Sequence, residues 1–428
     1  MRFISQDKCK EEEHMERLDL PEFVVRVIDR LEACGYEAYA VGGCVRDMIM
    51  GRVPNDYDVT TNALPEETKR CFDGWRVIET GIKHGTVTVI SEGNNIEVTT
   101  YRLDGEYADN RHPKEVTFTS DITADLSRRD FTVNAMAYSH KRGFADAFDG
   151  MGDILNRQIR SVGDARQRFR EDGLRILRAL RFSSVLGFSI DSETAIAIHD
   201  CKELLKNISV ERILSEFTKL ITGSGAESIL SDYRDVIAVF IPDVEKVSAE
   251  TYSEAVKIVS LCPAEKSIRY AAFLGHLGGA DGLIGRTLDR LNSDTRTRRT
   301  AEAIYECYLK GAEEGKIFAR YAICRSGYEV ARAAAELCAA TGKVRGDAAY
   351  VAVSERYAEN IERENSADGR CLSLSELKIS GKQLMSIGIK GPDIGKILSA
   401  LLCLVMEEKL ENKECDLMSA AQRLRSEE

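Results

Sequence analysis

No stretch of these 428 residues approaches the roughly 18–20 consecutive apolar residues that a membrane-spanning helix needs. No leader is expected either: "MRFISQDKCKEEEHMERLD" is charged from its seventh residue on, unlike a secretory signal. No Cys-x-x-Cys pair occurs among the twelve scattered cysteines, many of which sit between apolar residues. They read as reduced, mostly buried thiols in a reducing compartment. The six histidines (His14, His84, His112, His140, His199 and His276) never cluster at ligand spacing, which argues against a zinc site. No repeat with a period of roughly 20–50 residues and no low-complexity tract is found. What these absences leave is an ordinary soluble globular protein, 43% hydrophobic and 30% charged, expected in the cytoplasm. Its length is too great for one core and predicts about two to four domains.

A net charge of −11 argues against bulk attraction to nucleic acid, but the charge is uneven. Between Arg157 and Arg181, eight arginines meet only Asp164, Glu171 and Asp172. A nucleotide or nucleic-acid surface is expected there.

Residues 21–34, "PEFVVRVIDRLEAC", carry apolar residues at helical spacing. Tyr39–Val41 reads as a short strand running into Gly42-Gly43, Val45–Met50 as a short helix, and "PNDYDVTT" as a second strand. "HGTVTVI" and "NIEVTTYR" alternate around "SEGNN" as a hairpin, and residues 105–120 read as a long polar loop. From about 151 strand signals fade, and helices are expected over 167–186, 192–205, 209–222 and 225–239 and onward, punctuated by Gly187, Gly223 and Gly311. The pattern is α+β: a small sheet with helices, then a long all-α remainder.

Asp56 and Asp58, two apart on a strand, are expected to share a face. Closely spaced carboxylates suit Mg²⁺, which takes a few protein oxygens together with substrate phosphates. Glu97 is the natural third carboxylate if its strand pairs beside theirs. A pair of surface aspartates on a solvated edge would read the same way. The glycines shift the balance: Gly42-Gly43 closes a strand and opens a helix, freeing backbone N–H groups for an anion, with Arg46 in the first turn. An ordinary βα turn needs glycine for its angles too, but a phosphate cradle just ahead of an acidic pair points to a metal–triphosphate complex.

This arrangement resembles the nucleotidyltransferase superfamily that includes DNA polymerase β, and more narrowly the class II (bacterial-type) tRNA nucleotidyltransferase and poly(A) polymerase family. The resemblance rests on "VGGCVRDMIMGRVPNDYDVTT" (41–61), "DLSRRDFTVNAMAY" (125–138), "GDARQRFREDGLRILRALRFSSVLGFSID" (163–191) and, more loosely, "ISVERILSEFTKLI" (208–221). It implies a polymerase-β-like head at 1–150, a base-selecting helical neck at 151–222, a body at 223–313 and a tRNA-binding tail at 314–428, the helical part elongated. It implies Asp56 and Asp58 as carriers of Mg²⁺, with Glu97 helping to remove the proton. Gly43 and Arg46 would meet the triphosphate, with Arg128 and Arg129 as further phosphate donors. Asp130 would accept from the ribose hydroxyls, favouring NTP over dNTP; Asn134 supports that segment or serves as an ordinary turn residue.

Within "EDGLRILRALRF", a helix would place Asp172 and Arg175 on one face, Arg178 beside it and Arg181 well away. Asp172 would accept from the exocyclic amine of cytosine or adenine and Arg175 would donate to ring acceptors. Uracil and guanine would leave Asp172 against a carbonyl, at a cost of about 1–3 kcal/mol per mismatched group. The protein itself would then select C and A. An intrahelical salt-bridge face is the commoner reading of such a pattern, with Glu171 simply orienting Arg175 or Arg178.

Among the family's activities, addition of C-C-A to tRNA from CTP and ATP is favoured over A-addition or poly(A) synthesis. "ETGIKHGTVTVI" lacks the basic-aromatic pattern of the poly(A) branch, and "YRLDGEYADNRHPKEVTF" keeps the flexible loop that CC-adding relatives tend to lack. A non-catalytic tRNA-binding protein is the reading of another class; intact Asp56 and Asp58 argue against it. His199-Asp200 has no partner histidines nearby, so no phosphohydrolase activity is expected. The five arginines of "GRTLDRLNSDTRTRR" (285–299) and the Gly-Pro helix start of "GIKGPDIGKIL" are candidate tRNA phosphate contacts, or a solvated face and an ordinary cap. The sequence leaves the oligomeric state open.

Overall fold

The computed structural model describes residues 17–79, 81–82, 85–105, 116–278, 281–367 and 369–426. The chain divides into two compact units, the first ending at Pro242 and the second running from Asp243.

The first unit opens with helix α1 (Glu22–Ala33), whose Val24, Val27, Ile28 and Leu31 are buried along one stripe. Strand β1 (Ala38–Val41), helix α2 (Gly43–Ile49), strand β2 (Asp58–Thr61), helix α3 (Pro65–Cys71) and strand β3 (Val77–Ile78) follow. The hairpin of β4 (Thr86–Ser91) and β5 (Asn94–Thr100) forms as expected. Strands β6 (Arg102–Asp104) and β7 (Val116–Phe118) pair as a separate ribbon, so the polar stretch is not loop throughout; its 106–115 lie outside the described residues. Helix α4 (Ile122–Ser127) leads to β8 (Ala137–Ser139) and β9 (Gly143–Ala145). Seven strands form one mixed sheet in the order β3-β4-β5-β2-β1-β8-β9.

Helices then take over: α5 (Gly150–Leu155), α6 (Ala165–Glu171), α7 (Leu174–Leu186), α8 (Ser192–Cys201), α9 (Val210–Ile221), α10 (Ala226–Asp232) and α11 (Arg234–Phe240). The short strands β10 (Gln158–Ile159) and β11 (Ser189–Ile190) pair in parallel between them. The helix expected over 167–186 is two. Asp172 is extended (φ −139°, ψ 105°), and its Oδ1 accepts the Leu174 N–H at 3.0 Å, so this side chain restarts the helix rather than continuing it. The helix expected over 225–239 is likewise broken, at Tyr233.

The described residues of the second unit form helices and the turns between them, with no strand. It holds α12 (Ala249–Leu261), α13 (Lys266–Gly278), α14 (Leu283–Arg290), α15 (Thr295–Tyr308), α16 (Lys316–Ser326), α17 (Tyr328–Arg345), α18 (Ala348–Ser366), α19 (Gly381–Ser386), α20 (Pro392–Met406) and α21 (Glu414–Ser426). Leu384, Leu401 and Leu417 centre a small apolar core for the last three. Arg320, 2% exposed, ties α16 to that core: it meets Glu364 at 2.6 Å, the Met406 carbonyl at 2.5 Å and Glu408 at 2.8 Å. No helix in the described residues is long and apolar enough to cross a membrane.

Candidate active site

Strand register brings the predicted groups together. β1 runs antiparallel to β2 with Val41 opposite Asp58, and β2 runs parallel to β5 with Asp58 opposite Glu97. The glycine turn after Val41, the first carboxylate of β2 and Glu97 therefore meet at one end of the sheet. The strand begins only at Asp58, so Asp56 lies in the segment leading into it rather than on the strand as expected. Gly42 has φ +79°, and a Cβ there would stand 2.8 Å from Nη1 of Arg129. The positive φ favours glycine, and a side chain there would displace the guanidinium.

Asp58 reaches solvent, yet the protein around it desolvates its carboxylate. With the charges of Glu97 and Asp56, this raises its pKa to about 6 against the pull of Arg129. An acid held this far up is a carboxylate short of a cation. Among the described residues no three His, Cys, Asp or Glu side chains converge into a ready-made metal cage. An open, oxygen-only pair that leaves ligand positions to phosphates is what a hard divalent ion accepts.

The basic groups differ in how far they are committed. Arg128 is held by the fully buried Asp125, Nε to Oδ1 at 2.9 Å. Arg129 is 3.7 Å from the same carboxylate, and its buried Nε has no hydrogen-bond partner. Burial lowers its pKa, with Asp125 opposing. An orphaned donor beside the glycine turn fits an anion there. Arg46 is buried and already engaged: Nη1 donates to Asn134 Oδ1 at 2.6 Å, and Nη2 meets Asp47 at 2.7 Å. Gly43 opens α2, 3.6 Å from the Arg46 Nη2 by its would-be Cβ.

Asp130, expected at the ribose, has both oxygens occupied. Oδ1 accepts from Asn134 Nδ2 at 3.1 Å and from the Phe131 N–H at 2.9 Å, while Oδ2 accepts from Arg178 Nε at 2.7 Å. Burial opposes its charge, but Arg178, Asn134 and Arg175 outweigh it and hold the carboxyl at about 2. Arg175 is buried and donates to Glu171 at 2.5 Å and to the carbonyls of Arg168 and Arg128. Asp172 meets Arg212 of α9 at 2.8 Å. Glu171 orients Arg175, whereas Arg178 is held by Asp130. Arg181, expected well away from the others, pairs with Glu216 at 2.6 Å yet packs on the same Phe182 ring as Arg178.

Four participants escaped the sequence reading: Asp125, Arg212, Glu216 and Phe182. The first three sit inside the quoted motif blocks, where their charge was the available signal. Phe182 also lies inside a quoted block, with no charge to mark it.

Three stretches of the chain match family models. Residues 38–160 match the poly(A) polymerase head domain, 187–250 the RNA- and SrmB-binding site of polymerase A, and 264–421 the tRNA nucleotidyltransferase domain 2. A CCA-adding enzyme of Lactobacillus delbrueckii subsp. bulgaricus is 34% identical over 409 residues, covering 91% of this chain and 94% of the relative. The chain belongs to the class II tRNA nucleotidyltransferase and poly(A) polymerase family. As a member it is an enzyme, a tRNA nucleotidyltransferase of a family that uses a divalent metal. A CCA-adding enzyme of Lacticaseibacillus paracasei is 47% identical over 221 residues, 51% of this chain and 55% of the relative. Among solved structures, the Bacillus stearothermophilus CCA-adding enzyme in complex with CTP superposes with a TM-score of 0.79 at 28% identity, covering 95% of this chain and 99% of that one.

Proposed function

We propose that this nucleotidyltransferase adds C, C and A to tRNA 3′ ends from CTP and ATP, without a nucleic-acid template, and works with Mg²⁺. The observation that carries the chemistry is the sheet edge where Asp58 and Glu97 stand opposite each other beside the partnerless Nε of Arg129. The near full-length likeness to CCA-adding enzymes supports the choice of substrate.

Asp56 and Asp58 hold the ion; bound there, Mg²⁺ would neutralise triphosphate charge and favour attack at the α-phosphate. The tRNA 3′ oxygen forms a bond to that phosphorus as the bond to pyrophosphate breaks. Glu97 takes the hydroxyl proton. Arg129, with Arg128 beside it and the Gly43 turn, receives the triphosphate. Asp130 and Asn134 hold Arg178 and Arg46 in place, and any ribose contact by Asp130 shares oxygens already in use. Asp172 and Arg175 read the base, which requires Asp172 to share or release Arg212 and Arg175 to share or release Glu171. Head 1–150 and neck 151–222 lie in the first unit and tail 314–428 in the second, whereas the body 223–313 includes the unit boundary at Pro242. In the second unit, the exposed Arg296 and Arg299 are the side chains of the 285–299 stretch that best suit tRNA phosphates, since Arg298 is engaged by Asp289 at 2.6 Å. The proposed seat of all this is the cytoplasm.

The test is purified protein with Mg²⁺, all four NTPs and tRNA ending at the discriminator base. Three added nucleotides and a stop support CCA addition. A ladder of adenosines points to poly(A) synthesis, extension only of tRNA ending in CC to A-addition, and no extension of any substrate to a binding protein.

A further inference from the structure

Three guanidinium groups surround one phenyl ring. The Cζ atoms of Arg46, Arg178 and Arg181 lie 5.2, 5.3 and 3.8 Å from the centroid of Phe182, which is 5% exposed on α7. Phe131 meets the same ring edge-on, centroids 5.8 Å apart at 77°. Each arginine has its polar partner elsewhere: Arg46 on Asn134, Arg178 on Asp130, Arg181 on Glu216. Arg46 is held by Asp47 as well, through Nε and Nη2. Phe182 is the contact that the three share, and its electron-rich face attracts cations that otherwise repel one another.

The placement matters because these arginines belong to different parts of the site. Arg46 rises from the helix behind the glycine turn, and Arg178 stands one helical turn after Arg175. A chain of hydrogen bonds, Arg46 to Asn134 to Asp130 to Arg178, already joins the two ends. The ring closes that chain into a loop with two independent struts.

We propose that Phe182 is a positioning residue that fixes the separation between the triphosphate end and the base-reading end of the nucleotide site. It touches no reacting atom. It acts through Arg46 and Arg178, and its role rests on the nucleotide site proposed above. An apolar residue of similar bulk fills the space but has no π face, so the ring's loss should show in how nucleotides are used.

Phe182→Leu and Phe182→Tyr separate these roles. The leucine variant is expected to lose about tenfold or more in kcat/KM for CTP and ATP, with the KM for tRNA within about twofold of wild type. The tyrosine variant, which keeps the ring, is expected to recover most of that loss. Wild-type nucleotide kinetics in Phe182→Leu, or equal impairment in both variants, would overturn the proposal. A second measurement needs neither variant folding nor activity: with ¹⁵N-arginine labelling of the wild-type chain, the side-chain Hε of Arg181 should be displaced upfield by the ring. A resonance at the ordinary position would also overturn it. If the wild type extends no tRNA while that displacement is seen, the functional reading fails and the ring geometry stands.

Discussion

Replacing Asp130 by asparagine keeps the shape of the side chain and removes its charge. In the folded chain that carboxyl is held at about 2 against an ordinary 3.8, because Arg178, Asn134 and Arg175 overcome the cost of burial. At about 1.4 kcal/mol per pKa unit, the ionised form is favoured by the fold to the extent of about 2–3 kcal/mol. The sign follows from the direction. A lowered carboxyl contributes its stability above the unfolded pKa and loses it as pH falls through the folded one. Asp130→Asn should therefore lower stability by about 2–3 kcal/mol near pH 7, and the gap should shrink to about half by pH 3. The assay is urea unfolding of both proteins across that pH range, followed by the fluorescence of Trp75. This is the single tryptophan in the chain and belongs to the first unit, packed against Phe72 at 5.3 Å, so unfolding of the second unit does not enter the signal. A gap below about 0.5 kcal/mol, or one that does not narrow in acid, would refute the view that Asp130 is held ionised by its arginine and amide partners.

Asp58→Asn should abolish incorporation of every nucleotide. Because Asp58 is raised to about 6, the metal-free wild type should lose stability relative to this variant as pH rises from about 4 to 6, and an added divalent ion should restore only the wild type; parallel melting curves would contradict this. Asp172→Ala removes a cap on Leu174 and a partner of Arg212, costing about 1 kcal/mol, and should blur the preference for CTP and ATP in a four-nucleotide competition. An unchanged preference would remove Asp172 from base reading. Arg320→Met leaves the buried Glu364 with only Arg370, at 3.2 Å, and should destabilise the second unit by about 3 kcal/mol in hydrogen exchange, whereas Arg320→Met with Glu364→Gln should cost less. Equal losses would show that packing rather than charge dominates.

Much of this protein is local and was therefore readable in one dimension. Gly42-Gly43, the hairpin of β4 and β5 and the stripe of α1 follow from backbone angles and residue periodicity, which neighbours in sequence impose. The motif blocks likewise identified the family. Tertiary structure decided what depends on distant partners: that Glu97 stands opposite Asp58, that Arg46 and Asp130 are already spoken for while Arg129 is left with an unpaired donor, and that Phe182 gathers three arginines. The break of the helix at Asp172 is local instead: its side chain competes for the N–H two residues on and outweighs the helical pattern on either side. Charge and hydrogen-bond state are set by what lies across space, and the order of residues along the chain carries no measure of that distance.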